Sequence, residues 1–146
     1  MTYRTPLYAA LLAASLPAIA SADEFVLTPS GLSYEDTTFA LESAIVGRGL
    51  TIDYTSHVGE MLERTRADVG SDVVLFTKAE IFMFCSATTS RAVMEADWRN
   101  IAYCPYGIDV IERPGEEVMI GYMRRDAESM APVNELLAGI VAEITE

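Results

Sequence analysis

Hydrophobic and polar positions change period several times along the chain, and each change marks an element. Residues 25–27 read as a short strand, and "TPSG" breaks it. Ser33 then stands as a helix N-cap, with Glu35 in the first turn and Asp36 three residues on, in the capping position. Thr37, Leu41, Ala44 and Ile45 recur at helical spacing, so a first helix runs to about Gly47, and Gly49 ends it in a left-handed turn. Leu50, Ile52 and Tyr54 alternate with Thr51, Asp53 and Thr55, the period of a half-buried strand. A second helix fits residues 58–69, with Met61, Leu62 and Thr65 on one side and Gly70 at its end.

The stretch "SDVVLFTKAEIFMFC" fits either one long strand or two short ones, and its main strand is expected at residues 80–85. "SATTSRAVMEAD" reads as a helix capped by Ser86 or Thr88, and "ADWRN" breaks it. "GIDVIE", "RPGE" and "EVMIGYMR" read as strand, turn and strand, a β-hairpin. From Ser129 a closing helix carries the apolar stripe Val133, Leu136, Leu137, Ile140, Val141 and Ile144, with Pro132 in its first turn. Helices interleaved with strands that end in a hairpin predict one α+β domain, a mixed or antiparallel sheet with helices packed on it.

The front of the chain has a different pattern. Arg4 precedes an apolar run from Leu7 to about Ala20, which ends in the overlapping small-residue sites Ala18-Ile19-Ala20 and Ala20-Ser21-Ala22. Basic start, short apolar run and A-x-A site predict a signal peptide cleaved after Ala22, hence a periplasmic or secreted protein. The run is too short for a membrane span and holds Pro17. The remaining residues 23–146 form a single predicted domain without repeat or linker.

Charge narrows the partners. The 146-residue chain carries a formal charge of -12, which becomes -13 without residues 1–22, since these hold Arg4 and no acid. A field of that sign repels phosphate backbones and anionic lipids, so nucleic-acid and peripheral membrane binding are not expected. A cationic partner such as a basic redox protein is the class it would attract.

The order of several short motifs adds a resemblance. A helix ending in Gly47 leads to "IDYTSH", which spaces Asp53 and His57 as D-x-x-x-H; a strand ends at "IFMFC"; "YCPYGIDVIERPGEEVMIGY" follows. Across about Ser33 to Tyr122 the chain resembles the exported bacterial family called domain of unknown function 302. Glu112-Arg113 stands where that family often has a tyrosine. The resemblance implies a compact α+β fold with a mixed sheet and implies no reaction.

The candidate chemistry is sparse. Cys85 and Cys104 are the only two cysteines, and an oxidising compartment would preserve a bond between them. Their Cα atoms must then lie within about 4.4–6.8 Å. Strands 80–85 and 106–112 meet that condition as antiparallel neighbours and fail it as parallel ones. A loop of about 20 residues closed this way contributes about 3 kcal/mol. Separate buried thiols, or a redox or metal site, stay open. Cys85 precedes a helix whose free N–H groups favour a thiolate, so a thiol enzyme with Cys85 as nucleophile is one alternative, although C-x-x-C is absent.

His57, the single histidine, sits at an element boundary, a place for a cap or surface residue. Joined to Cys85, Cys104 or a methionine (Met61, Met83, Met94, Met119) it would offer ligand types that copper or haem iron selects. Methionines at such positions are more often core filler. Four-ligand zinc spacing, C-x-x-C-H, G-x-S-x-G and a phosphate-cradling glycine loop are all missing. Tyr103 and Tyr106, with Tyr122 and Trp98 nearby in sequence, are candidate ligand-lining residues or plain packing. The sequence therefore points to a binding or accessory protein more than to an enzyme.

Overall fold

The computed structural model describes residues 23–146; the expected signal peptide lies outside them. The strands are β1 (Glu24–Pro29), β2 (Thr51–Ser56), β3 (Lys78–Cys85), β4 (Tyr106–Glu112) and β5 (Met119–Arg124). The helices are α1 (Tyr34–Gly47), α2 (Val58–Thr65), α3 (Ala87–Ala96) and α4 (Ala131–Thr145). They build one five-stranded sheet in the order β1-β5-β4-β3-β2, and every pairing in it is antiparallel. The mixed sheet left open by the sequence is thereby excluded. None of the described helices is long and apolar enough to cross a membrane.

Local chemistry explains most boundaries. Ser33 Oγ accepts the Asp36 N–H at 3.1 Å and donates to the Asp36 carboxylate at 2.8 Å, which fixes the start of α1. Ser86, rather than Thr88, caps α3 by accepting the Thr89 N–H at 3.2 Å. The β4–β5 connection is a turn in which Glu116 N–H donates to Arg113 C=O, with Pro114 second and Gly115 third at φ 76°. Regular α2 stops at Thr65, four residues short of the expected end, and residues 66–70 continue as turns closed by Gly70 at φ 72°.

The ambiguous stretch resolves into one strand that starts at Lys78. Its upstream residues Val73, Val74 and Leu75 are exposed and unpaired. The reason is the length of β4: Lys78 faces Glu112, Thr77 N–H reaches Glu112 C=O, and beyond Glu112 the hairpin turn leaves no strand to pair with.

One face of the sheet carries the core. Phe82, Phe84, Tyr106, Ile108, Val110, Ile120 and Tyr122 pack there against Leu41, Ala44 and Ile45 of α1, Val93 of α3, and Val133, Leu137, Ile140 and Val141 of α4. The helix α2 sits elsewhere. It follows β2 directly and lies along the first residues of β3, which β2 does not reach. Gly59 permits this, because a Cβ there would fall 2.6 Å from the Ala79 backbone nitrogen. A helix thus covers an otherwise unpaired strand edge.

The opposite face carries no helix of the core layer. At its centre Asp109 is flanked by Ile81 and Gly121. Burial alone pushes the Asp109 carboxyl up to about 6 from its ordinary 3.8. The folded chain therefore keeps that proton over a range where the unfolded chain has released it. Its contribution is fully present below about pH 4, is lost as the pH rises to about 6, and stays lost above. Asp109→Asn is expected to be more stable than the parent at pH 7 by about 1–3 kcal/mol, with the two converging near pH 4. Urea denaturation at a series of pH values measures it, and parallel curves for the two proteins would refute it.

Candidate functional site

The antiparallel register of β2 and β3 assembles a cleft at the corner of the sheet. Ser56 is opposite Ile81, so His57, one residue past the end of β2, comes opposite Glu80. His57 Nδ1 and Glu80 Oε1 lie 2.5 Å apart. An ionised carboxylate accepts only, so the contact assigns an N–H to Nδ1, and in the neutral form of the ring Nε2 is then the acceptor. The ring stays more than half exposed, whereas Glu80 is three-quarters covered. His57 does occupy the N-cap position of α2, as an element-boundary residue should, but its side chain makes no cap bond and turns to Glu80 instead.

Tyr34, the first residue of α1, supplies a second group. It is 7% exposed, and its hydroxyl lies near the Glu80 carboxylate without a hydrogen bond of ordinary geometry to any described residue. Burial is the main cause that pushes its ionisation far above the ordinary tyrosine range; the neighbouring Glu80 carboxylate, by its charge and as a hydrogen-bond acceptor, and the charges of Glu112 and Glu35 add to it. The phenol is therefore a neutral donor at any physiological pH. The Lys78 ammonium stands 5.2 Å from the Tyr34 ring centroid and pairs with Glu35, which raises the lysine and lowers the glutamate.

These groups line a cleft of about 470 Å³ together with Glu60 and Arg64 of α2, over a floor of Gly59 and Ala79. That volume is within the range of small-molecule sites, about 300–1,000 Å³. The arrangement can donate a hydrogen bond from Tyr34, accept one at His57 Nε2, and place charges of both signs at its rim. Among the described residues no group of three or more His, Cys, Asp or Glu side chains could hold a metal ion.

The other expected site residues fall elsewhere. Cys85 and Cys104 come together as the antiparallel condition requires: their Cα atoms are 6.4 Å apart and their sulfurs 2.17 Å apart, at disulfide distance. They sit at the far end of β3 from the cleft. Cys85 pairs with Thr51, at the start of β2, while His57 follows the end of that strand. Five residues of extended chain between Glu80 and Cys85 span about 17 Å. The structure therefore does not join His57 to Cys85 and Cys104 in one ligand set, and Cys85 faces a sulfur rather than a substrate. Met61 is the one methionine of the four that shares a pocket with His57, a shallow one beside Tyr54 and Arg64.

Tyr106 is buried, and its hydroxyl is 2.9 Å from Ser90 Oγ. Tyr103 lies under the Arg125 guanidinium, 4.7 Å from its ring centroid. The cavity between the two rings measures about 40 Å³, room for a water or two. Both tyrosines are therefore packing residues in this geometry, and Trp98, 75% exposed, takes no part.

The sequence reading missed Tyr34, Lys78 and Glu80. A signal was present: Lys78 and Glu80 share the alternation phase of Phe82 and Phe84 in "KAEIFMFC", so two charged residues continue the buried side of an apolar strand.

A five-stranded antiparallel sheet with a helical layer on one face and a cleft at the β2–α2 corner defines a small α+β domain. The model for the family described as domain of unknown function DUF302 matches residues 26–146, and the chain belongs to that family. Among solved structures, the crystal structure of an uncharacterized conserved DUF302 protein from Bacillus stearothermophilus is similar. It has 17% identity and a TM-score of 0.66, over 82% of this chain and 97% of the other. At that identity the likeness concerns the fold. No curated protein matches the sequence.

The Glu80 contact has a measurable consequence. In 15N spectra of the neutral ring, His57 should carry its proton on Nδ1; Glu80→Ala should shift it towards the Nε2–H form usual for free imidazole. An Nε2–H ring in the parent protein would show that the contact does not hold in solution.

Proposed function

We propose that this is an exported binding domain, braced by a Cys85–Cys104 disulfide, that takes a small polar ligand in the cleft between α2 and β3. The observation that carries the reading is the Tyr34 hydroxyl, buried at the cleft near the Glu80 carboxylate and without a hydrogen bond of ordinary geometry. A buried hydroxyl left without a good bond costs about 1–3 kcal/mol, and a ligand that supplies an acceptor would relieve it once the side chains that cover the oxygen shift aside. With His57 Nε2 open as an acceptor, the complementary ligand has an acceptor and a donor a few ångströms apart, as hydroxyl- and amide-bearing metabolites do. Export is supported by the pattern of residues 1–22 and by the absence of a leftover cysteine in the chain.

Two measurements test the parts separately. For the site, 1H–15N spectra are recorded against a panel of small neutral and zwitterionic polar compounds. Binders should shift the amides of Tyr34, His57, Lys78 and Glu80, and Tyr34→Phe should weaken them about tenfold while the protein stays folded. No binder at millimolar concentration, or shifts mapping elsewhere, would sink the reading. For the brace, the exported protein is alkylated under denaturing conditions and weighed intact. Thiols that react only after reduction support the disulfide; two thiols that react without reductant refute it.

A further inference from the structure

The cleft does not end at Lys78. Beyond it lies a second recess of about 470 Å³, and Tyr34 and Lys78 line both. The strand register explains the lining. Lys78 and Glu80 stand on the helical face of β3, and Glu112, the cross-strand partner of Lys78, stands on the same face of β4. Glu35, in the first turn of α1, closes a third side through its ion pair with Lys78. Three carboxylates thus surround one ammonium. Glu117 adds a further carboxylate to the recess.

Negative charge is left over here. Arg113 holds Glu116, but Glu112 and Glu117 are in no ion pair among the described residues. The hydrogen bond to Glu35 is the main cause that raises the Lys78 ammonium above its ordinary range; the charges of Glu35, Glu112 and Glu80 add to it, against some desolvation. The same three carboxylates act on the Tyr34 phenol. Arg64, across the first cleft, shares its lining with Glu60 and Glu63. A chain of formal charge -12 also attracts cations from a distance.

Lys78 shows what this place accepts. Its ammonium has the Tyr34 ring centroid 5.2 Å away, the arrangement of a cation over an aromatic face. Its partnership with Glu35 is exposed on both sides, and exposed pairs are weak, so a ligand amine can take the place over. The cluster does not suit a metal ion, because among the described residues no three acidic or histidine side chains converge closely enough to hold one. Tyr34 gives a second sign of a ligand: it is nine-tenths buried at the wall shared by both recesses, and its hydroxyl makes no hydrogen bond of ordinary geometry.

We infer that the ligand of the cleft is an aliphatic amine carrying a hydroxyl or amide oxygen, with its ammonium among Glu35, Glu80 and Glu112 in place of Lys78 and its oxygen accepting from Tyr34. This rests on the reading of the cleft as a small-molecule site and adds the charge of the molecule it takes.

The test compares ethanolamine with N-acetylethanolamine, which keeps the hydroxyl and loses the charge. Each is titrated into 15N-labelled protein. Ethanolamine should bind at least about tenfold more tightly and shift the amides of Tyr34, Glu35, Lys78 and Glu112. Raising the salt from about 20 to about 300 mM should weaken it several-fold. Glu112→Gln should weaken ethanolamine about fivefold and leave N-acetylethanolamine unchanged. Lys78→Gln, which vacates the place the ammonium takes, should tighten ethanolamine several-fold. Glu135→Gln, the same change of charge at an exposed residue of α4, should alter neither compound, which separates the recess from the acidity of the whole chain. Equal affinity for the two compounds would overturn the inference and leave the small-molecule reading of the cleft standing. No shift with ethanolamine at about 50 mM, or weaker binding in Lys78→Gln, would overturn it too, with the cleft reading still decided by its own panel of neutral and zwitterionic compounds. Calcium chloride that shifts the same amides and competes with ethanolamine would give the carboxylates to a metal and refute the amine.

Discussion

The register of β3 against its two neighbours is the constraint on which the rest of the structure depends. Phe82 and Phe84, almost wholly buried, anchor that register to the core. A shift by one residue would turn both rings to the bare face and bring Met83 and Cys85 inward. The same register has two further effects at opposite ends of one strand. Against β4 it sets Phe84 opposite Tyr106, which brings Cys85 beside Cys104. Against β2 it sets Ser56 opposite Ile81, which brings His57 to Glu80. Cysteine pair and cleft are therefore not independent features. A change that slips β3 disturbs both, although they lie about 17 Å apart along the strand.

Where β2 ends is as important as where it pairs. The strand stops short of the beginning of β3, and the exposed edge has to be covered. The chain covers it with α2, whose close approach depends on the missing side chain at Gly59. A helix resting on a strand edge meets it over few residues and cannot fill the space above the sheet. That is the origin of the cleft: α1 enters from one side with Tyr34, α2 from the other with Glu60 and Arg64, and Lys78 and Glu80 rise from the strand between them. The polar residues of β3 lie at the end where the helical layer gives out, which is why their charges are tolerable on the phase that is otherwise buried.

Much of this was legible in the chain, and for identifiable reasons. Capping chemistry at Ser33, the Pro-Gly turn at 114–115 and the apolar stripe of the last helix are local signals, and each element formed where they indicate. The cysteine pair was legible as a condition on strand direction, which the antiparallel sheet meets. The cleft was less so, because it depends on a pairing between residues 56 and 81 that no local pattern announces. His57 looked like a boundary residue and is one; its carboxylate partner is 23 positions away. Tyr103 and Tyr106 were open to both readings, ligand lining and packing. Their clustering in sequence reflects a shared place in packing around Ser90 and Arg125, and aromatic residues with a polar tip satisfy that role as readily as a ligand site.

The two faces of the sheet divide the remaining uses of the molecule. The helical side buries the core completely, so the chain needs nothing more for its fold there. The bare side holds Phe25, Leu27 and Met123 near water while a carboxylate among them is held partly out of it, an arrangement unfavourable to the isolated chain on both counts. The cleft is unfavourable for a different reason, a buried hydroxyl that makes no hydrogen bond of ordinary geometry. Each of these departures from an economical fold is confined to a surface where another molecule can approach, and each differs in chemistry: one apolar and broad, the other an open cleft rimmed by charged side chains.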